Sequence, residues 1–125
     1  MKTVEQTMDR LRRALPLRMG KNRVLVGPEY AGCCGTGRRA KMVKTSDGQF
    51  VVGHELDFDY DMSKLRWLKT YAGAKNVFLK HCRRVVEFNH NVAVESEQAR
   101  RTLRESDDYG KRIGAVLVLS DNGTM

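Results

Sequence analysis

Apolar and polar positions follow two different periods along this chain, and the changes of period mark out its elements. Val4, Met8, Leu11 and Leu15 recur at spacings of four, three and four, the stripe of an amphipathic helix, and Thr3 with Gln6 three residues later matches a capping box. The pattern predicts a helix over residues 4–15, closed by Pro16, which disfavours helical geometry in the residue before it. Residues 23–26, 40–45 and 49–58 read as strands. Gly27-Pro28 ends the first, and Ser46-Asp47-Gly48 joins the other two, Asp-Gly supplying the positive φ of a tight hairpin turn. Met42, Phe50 and Val52 would feed the core. Gly53 interrupts the alternation, as glycine does at a bulge or where another part of the chain comes close.

Beyond Gly53 the alternation resumes: Glu55, Asp57, Asp59 and Asp61 take odd positions while Leu56, Phe58 and Tyr60 take even ones. On a strand, that period places four carboxylates on one face. A helix is expected over residues 63–72, with Leu65 and Leu68 inward and Gly73 separating it from the next. From Phe78 to Leu103 apolar or small residues recur at alternating spacings of four and three, predicting one long helix over about residues 74–105. The poor helix formers Asn89, His90 and Asn91 make a break there the alternative. Residues 113–119, IGAVLVL, form a nearly continuous apolar run that reads as a strand buried on both faces. Together these elements predict an α+β fold: a small, mostly antiparallel sheet of about four strands with a hairpin at 40–58, packed by an N-terminal helix and two or three helices from the C-terminal half.

A chain of 125 residues suits one compact domain over 1–125. With 41% hydrophobic residues, two prolines and no low-complexity tract, it is neither disordered nor fibrous in composition. Cys33, Cys34 and Cys82 are odd in number and two are adjacent, which suits free thiols in a reducing compartment better than a disulfide framework. The first residues lack an apolar signal core, and no run approaches the roughly 18 apolar residues of a membrane span. A cytoplasmic protein without a membrane partner is expected.

Charge changes the picture most. The formal net charge is +8, and residues 1–44 hold eleven Lys and Arg against three Asp and Glu, whereas the remainder holds twelve of each. A localised positive field attracts polyanions. Arg10, Arg12, Arg13, Arg18, Lys21, Arg38, Arg39 and Lys41 are therefore the candidate nucleic-acid-binding residues, making phosphate contacts with little sequence readout. Glycines at 32, 35 and 37 followed by Arg38 and Arg39 would suit an anion-binding loop, although neither a P-loop nor a dinucleotide fingerprint is present.

Two binding functions fit this charge map, and neither needs a cofactor or metal. One is a non-enzymatic nucleic-acid-binding protein, for DNA or RNA. The other is a protein-interaction module that inhibits or tethers a nucleic-acid-handling machine, with Glu55, Asp57, Asp59 and Asp61 as its partner-binding face. Because carboxylates repel phosphates, basic and acidic residues are expected on different sides. A metal-dependent nuclease is a further alternative, weakened because alternate strand residues stand about 7 Å apart and no Asp/Glu-x-Lys element accompanies them. Zinc-ligand spacings are absent. His81 and Cys82, adjacent on a helix, point about 100° apart and cannot act as base and nucleophile together.

Overall fold

The computed structural model describes residues 2–31 and 39–123, and its architecture is α+β. The capping box forms as the spacing requires: Gln6 N–H donates to Thr3 Oγ1 (3.1 Å), and Thr3 N–H donates to Gln6 Oε1 (2.9 Å). Helix α1 spans Val4–Ala14 and buries Met8, while Val4, Leu11 and Leu15 pack at the margin of the core. Strands β1 (Val24–Val26), β2 (Ala40–Lys44), β3 (Phe50–His54) and β4 (Arg66–Leu68) form one antiparallel sheet in the order β1-β2-β3-β4. At the hairpin turn Gly48 has φ +89° and donates its N–H to Thr45 O (3.1 Å), the geometry that the Asp-Gly pair anticipates.

The register puts Leu25 opposite Met42 and Met42 opposite Val52, so these three share the face that packs on the helices. Helix α3, Tyr71–Glu105, lays Ala74, Phe78, Cys82 and Val86 against them. It is a single 35-residue rod that passes unbroken through Asn89-His90-Asn91. Asn89 has a use that its low helix propensity conceals: Nδ2 donates to Glu29 O (2.9 Å) and Oδ1 accepts from Ala31 N–H (2.6 Å), tying the chain after β1 to the helix.

Three expected elements are different in the structure. Residues 55–60 form helix α2, Glu55–Tyr60, so the second strand of the hairpin stops at His54. Six alternating residues fit either period. The choice goes to the helix because Glu55 and Asp57 fall in a first turn, where the helix dipole favours acids, and because the chain must turn back over the sheet. That return path explains Gly53, whose register opposite Lys41 is regular: a Cβ there would lie 2.5 Å from Leu65 Cδ2. Close approach, not a bulge, is what the glycine permits.

Residues 63–72 are likewise not one helix. After a single 3-10 turn, Met62–Lys64, Leu65 is buried and β4 pairs with the free edge of β3. Hydrogen-bonding that edge satisfies backbone groups otherwise left open, which outweighs a short helical stripe. Thr70 then caps α3 by accepting the Gly73 N–H (3.2 Å), placing Gly73 inside the first turn.

The run IGAVLVL is not a strand but part of helix α4, Tyr109–Asp121. Val86 is the last α3 residue in the core of the sheet, and the nineteen residues after it carry the helix about 28 Å farther. A strand at 113 would need the chain to spend its whole extended reach coming back. Instead Asp108 accepts the Lys111 N–H (2.9 Å) as an N-cap, and α4 folds onto α3 with Ala115 and Leu119 against Ala99. The result is a body, the sheet with α1, α2 and the first half of α3, and an arm made by the rest of α3 and α4. No helix among the described residues is long and apolar enough to cross a membrane.

Candidate functional site

A concentration of cations on the body lies where the loop after α1 runs beside the start of β1 and the end of β2. Tyr71, at the start of α3, donates its hydroxyl to Pro16 O (2.6 Å), and its ring lies against Phe50 (centroids 5.7 Å apart). Burial raises the Tyr71 hydroxyl pKa, which keeps it a donor. This contact and the buried Met19 hold residues 16–20 against the body. The chain then turns at Asn22, in the left-handed region (φ +61°), with Arg23 N–H donating to Gly20 O (3.2 Å).

Around this loop lie two adjoining open grooves of about 330 and 350 Å³. Arg18, Met19 and Gly20 line both; Arg23 lines the first, and Lys44, Phe50 and Tyr71 the second. Lys44 N–H donates to Arg23 O (3.1 Å), one step from Val24 opposite Val43, so two cationic residues stand side by side on neighbouring strands. Like charges in that relation are destabilising unless something compensates them. Lys44 Nζ stands 5.3 Å over the Phe50 ring and Lys75 Nζ 5.9 Å over the Tyr71 ring, which fixes both ammonium groups near the rim. Among the described residues no carboxylate lines either groove, and no salt bridge engages Arg18, Lys21, Arg23, Lys44 or Lys75. Asp47 at the hairpin turn has its pKa lowered first by the hydrogen bond from the Thr45 hydroxyl and only lastly by Lys21.

The cations expected from the sequence fall into three groups. Arg18 and Lys21 join this cluster. Arg10, Arg12 and Arg13 are exposed on the last turns of α1 leading to it, with Arg12 paired to Asp9 (3.0 Å) and Arg13 Nε donating to Asp9 O (3.3 Å). Arg39 and Lys41 lie elsewhere. The Arg39 guanidinium donates to both oxygens of Glu55 (2.8 and 3.1 Å) and to Glu29 (3.2 Å), and Lys41 Nζ lies 4.7 Å over the Phe58 ring. Arg38, the glycines of the suggested anion loop, Cys33 and Cys34 lie outside the described residues. Lys44 and Lys75 are the members that sequence spacing did not assemble, whereas Arg23 stands in the same basic loop as Arg18 and Lys21. Period two does place Lys44 on the face of Met42, but the pairing of β1 with β2 that sets Arg23 beside it has no local signature.

The acidic row dissolves with the strand that carried it. On α2, neighbours two apart point nearly opposite ways, so Glu55, Asp57, Asp59 and Asp61 share no single face. Glu55 is held by Arg39, which lowers its carboxyl pKa. Asp61, the residue after α2, accepts from the Ser63 hydroxyl (2.5 Å), which lowers its pKa, and it pairs with Lys64 (3.7 Å). Acid and base intermingle here, contrary to the expectation of two separate charge faces. No group of three or more Asp, Glu, His or Cys among the described residues is placed to hold a metal ion.

A second cluster stands where β3 meets α3. The His54 and His81 rings meet edge to face, 4.8 Å between centroids, and His81 Nδ1 is buried without a hydrogen-bond partner among the described groups. Burial lowers the His81 pKa, helped by His54, Arg84 and Arg66 and opposed by Asp57. The neighbouring Cys82 thiol is pushed up to about 12 by burial, which makes it a core side chain and no nucleophile. Neither a family model, nor a curated protein, nor a solved structure matches the chain.

Proposed function

We propose that the protein binds nucleic acid through its phosphate backbone, at the two adjoining grooves lined by Arg18, Arg23 and Lys44 with Lys75 beside them, and does so without catalysis. What supports the reading is the pairing of Arg23 with Lys44 on neighbouring strands, each lining one of two adjoining grooves that no carboxylate among the described residues lines. A phosphate between two such cations removes their mutual repulsion and releases condensed counterions. Residues 1–89 hold eighteen Lys and Arg against nine Asp and Glu, so the surrounding field steers a polyanion toward the body. The groups involved address phosphates, so affinity should depend little on base sequence.

Fluorescence anisotropy with labelled single- and double-stranded DNA and RNA tests this. Micromolar binding at low salt that weakens steeply as salt rises is the expected result. In the Arg23→Ala/Lys44→Ala variant, affinity should fall by about tenfold or more and the logarithmic salt slope should drop by roughly two. Arg39→Ala should bind nearly as wild type, since that guanidinium is already engaged by Glu55 and Glu29. Absence of binding at low salt, or a double variant as tight as wild type, would sink the reading.

A further inference from the structure

Strand β4 is an edge of the sheet: among the described residues it pairs with β3 alone. Its register sets Arg66 opposite Val52, Trp67 opposite Val51 and Leu68 opposite Phe50. Alternation therefore sends Arg66 to the face that packs on α3 and Trp67 to the other face. Trp67 is 53% exposed, although Val51 beside it is only 3% exposed. Arg66 and Lys69, on either side of it in the chain, are exposed as well. Cations on an edge strand discourage pairing with another chain. A half-exposed tryptophan between them works against that purpose, because so large a ring gains by being covered.

The charges of Arg66, from β4, and Arg84, from α3, both act on the His81 ring, which brings the two guanidinium groups to the same corner of the body. Among the described residues no salt bridge or hydrogen bond engages either of them. Asp57, from α2, opposes them at His81 without pairing with either. This corner is continuous with the cationic grooves. Leu68 stands opposite Phe50, and Phe50 and Tyr71, the first residue of α3, line the second groove together with Lys44. Cations thus extend from Lys44 and Lys75 at one end of β4 to Arg66 and Arg84 at the other, and Trp67 lies on the strand that joins them.

We infer that the nucleic acid is single-stranded and lies along the β4 edge, with a base stacked on Trp67 and backbone phosphates at Arg66 and Arg84. The inference rests on the phosphate-binding reading and narrows it. A duplex keeps its bases paired and stacked within, so that Trp67 could meet only its backbone, whereas a single strand offers the π-face of each base in turn. Stacking of this kind tolerates any base, in keeping with cations that address phosphates and read no sequence. A second copy pairing edge to edge is the competing occupant, and it would bring Arg66 and Lys69 against their own like charges.

Trp67 is the sole tryptophan of the chain, so its emission reports on this edge directly. Titration of the full chain with a dT oligonucleotide at low salt should quench that emission, and a duplex of equal length should bind about tenfold more weakly. By anisotropy of the labelled oligonucleotide, Trp67→Ala should lose about tenfold in affinity with an unchanged logarithmic salt slope, and Trp67→Phe, which keeps a ring, should recover most of the loss. Arg66→Ala/Arg84→Ala should lose about tenfold or more and lower the salt slope by roughly two. Circular dichroism of each variant should match wild type. Absence of any binding at low salt overturns this inference together with the phosphate reading. Binding in which the duplex is held as tightly as the single strand, or in which Trp67 emission does not change, overturns this inference alone. So does emission that changes with protein concentration and not with oligonucleotide, the sign of a second copy on the edge.

Discussion

The body and the arm share helix α3 but are stabilised in different ways. In the body four strands and two helices converge, so Met42, Val52 and Cys82 are completely buried in one continuous cluster with Met8 and Phe78. In the arm two helices meet along a seam whose buried members are Ala99, Ala115 and Leu119. The charge divides at the same place: the excess of Lys and Arg is in residues 1–89, and residues 90–125 are nearly neutral. A thick core can hold cations such as Arg23 and Lys44 in an unfavourable arrangement. A two-helix seam buries too little to carry such a cost and leaves Ile113, Val116 and Leu117 partly exposed.

The largest effect should come from opening the body. Met42 is 0% exposed between the sheet and α3, so Met42→Ala should lose about 2–5 kcal/mol, through lost transfer energy and the cavity left behind. Chemical denaturation followed by circular dichroism should show the whole transition moving to lower denaturant. If the loss were under about 1 kcal/mol, the body would be packed as loosely as the arm. A smaller effect is expected at the base of the arm, where Asn122 Nδ2 donates to the buried Ser96 hydroxyl (3.1 Å). Asn122→Ala should cost about 1 kcal/mol by leaving that hydroxyl without this donor. Hydrogen exchange should quicken in α4 and the second half of α3 while β2 and β3 keep their protection. Equal acceleration in both regions would mean that body and arm open as one unit.

Much of this division was legible in the chain, and the misreadings share a cause. The capping box at Thr3, the Asp-Gly turn and the long period of α3 are set by neighbours a few residues away, and each appears where local chemistry puts it. Helix α2, strand β4 and helix α4 were decided by distant partners. ELDFDY and IGAVLVL are too short or too uniformly apolar for periodicity to separate helix from strand. Leu65 seating on Gly53, and the distance of residue 105 from the sheet, made the choice in three dimensions. The candidate site divides in the same way. The basic excess near the N-terminus was visible, whereas the loss of Arg39 to Glu55 and the gain of Lys44 beside Arg23 depend on strand pairing.

The smallest effect is a dependence on pH that should touch the body alone. The His81 ring packs on His54 and feels the charges of Arg84, Arg66 and Asp57, and burial, assisted by His54 and the two arginines and opposed by Asp57, holds its pKa below the ordinary histidine value of 6.5. A lowered pKa means that the fold favours the neutral ring, so the unfolded chain takes up a proton first as the pH falls. Stability from this group is therefore complete above about pH 6.5 and declines as the pH drops from there toward the lowered folded value. The lowered carboxyl groups of Glu5, Asp47, Glu55 and Asp61 add their own loss only in more acid solution, as the pH falls from their ordinary values of 4.5 and 3.8 toward the lowered folded ones. Thermal unfolding compared at about pH 7.5 and 5.5 thus separates imidazole from carboxyl effects, and a His81 variant assigns the share of that ring. Wild type should lose a few degrees of Tm, and His81→Phe, which keeps an aromatic ring against His54, should lose distinctly less. Exchange rates in α4, corrected for the intrinsic effect of pH, should not change. If His81→Phe fell as far as wild type, the acid sensitivity would belong to another group; if α4 loosened in step with β3, the arm would draw its stability from the body after all.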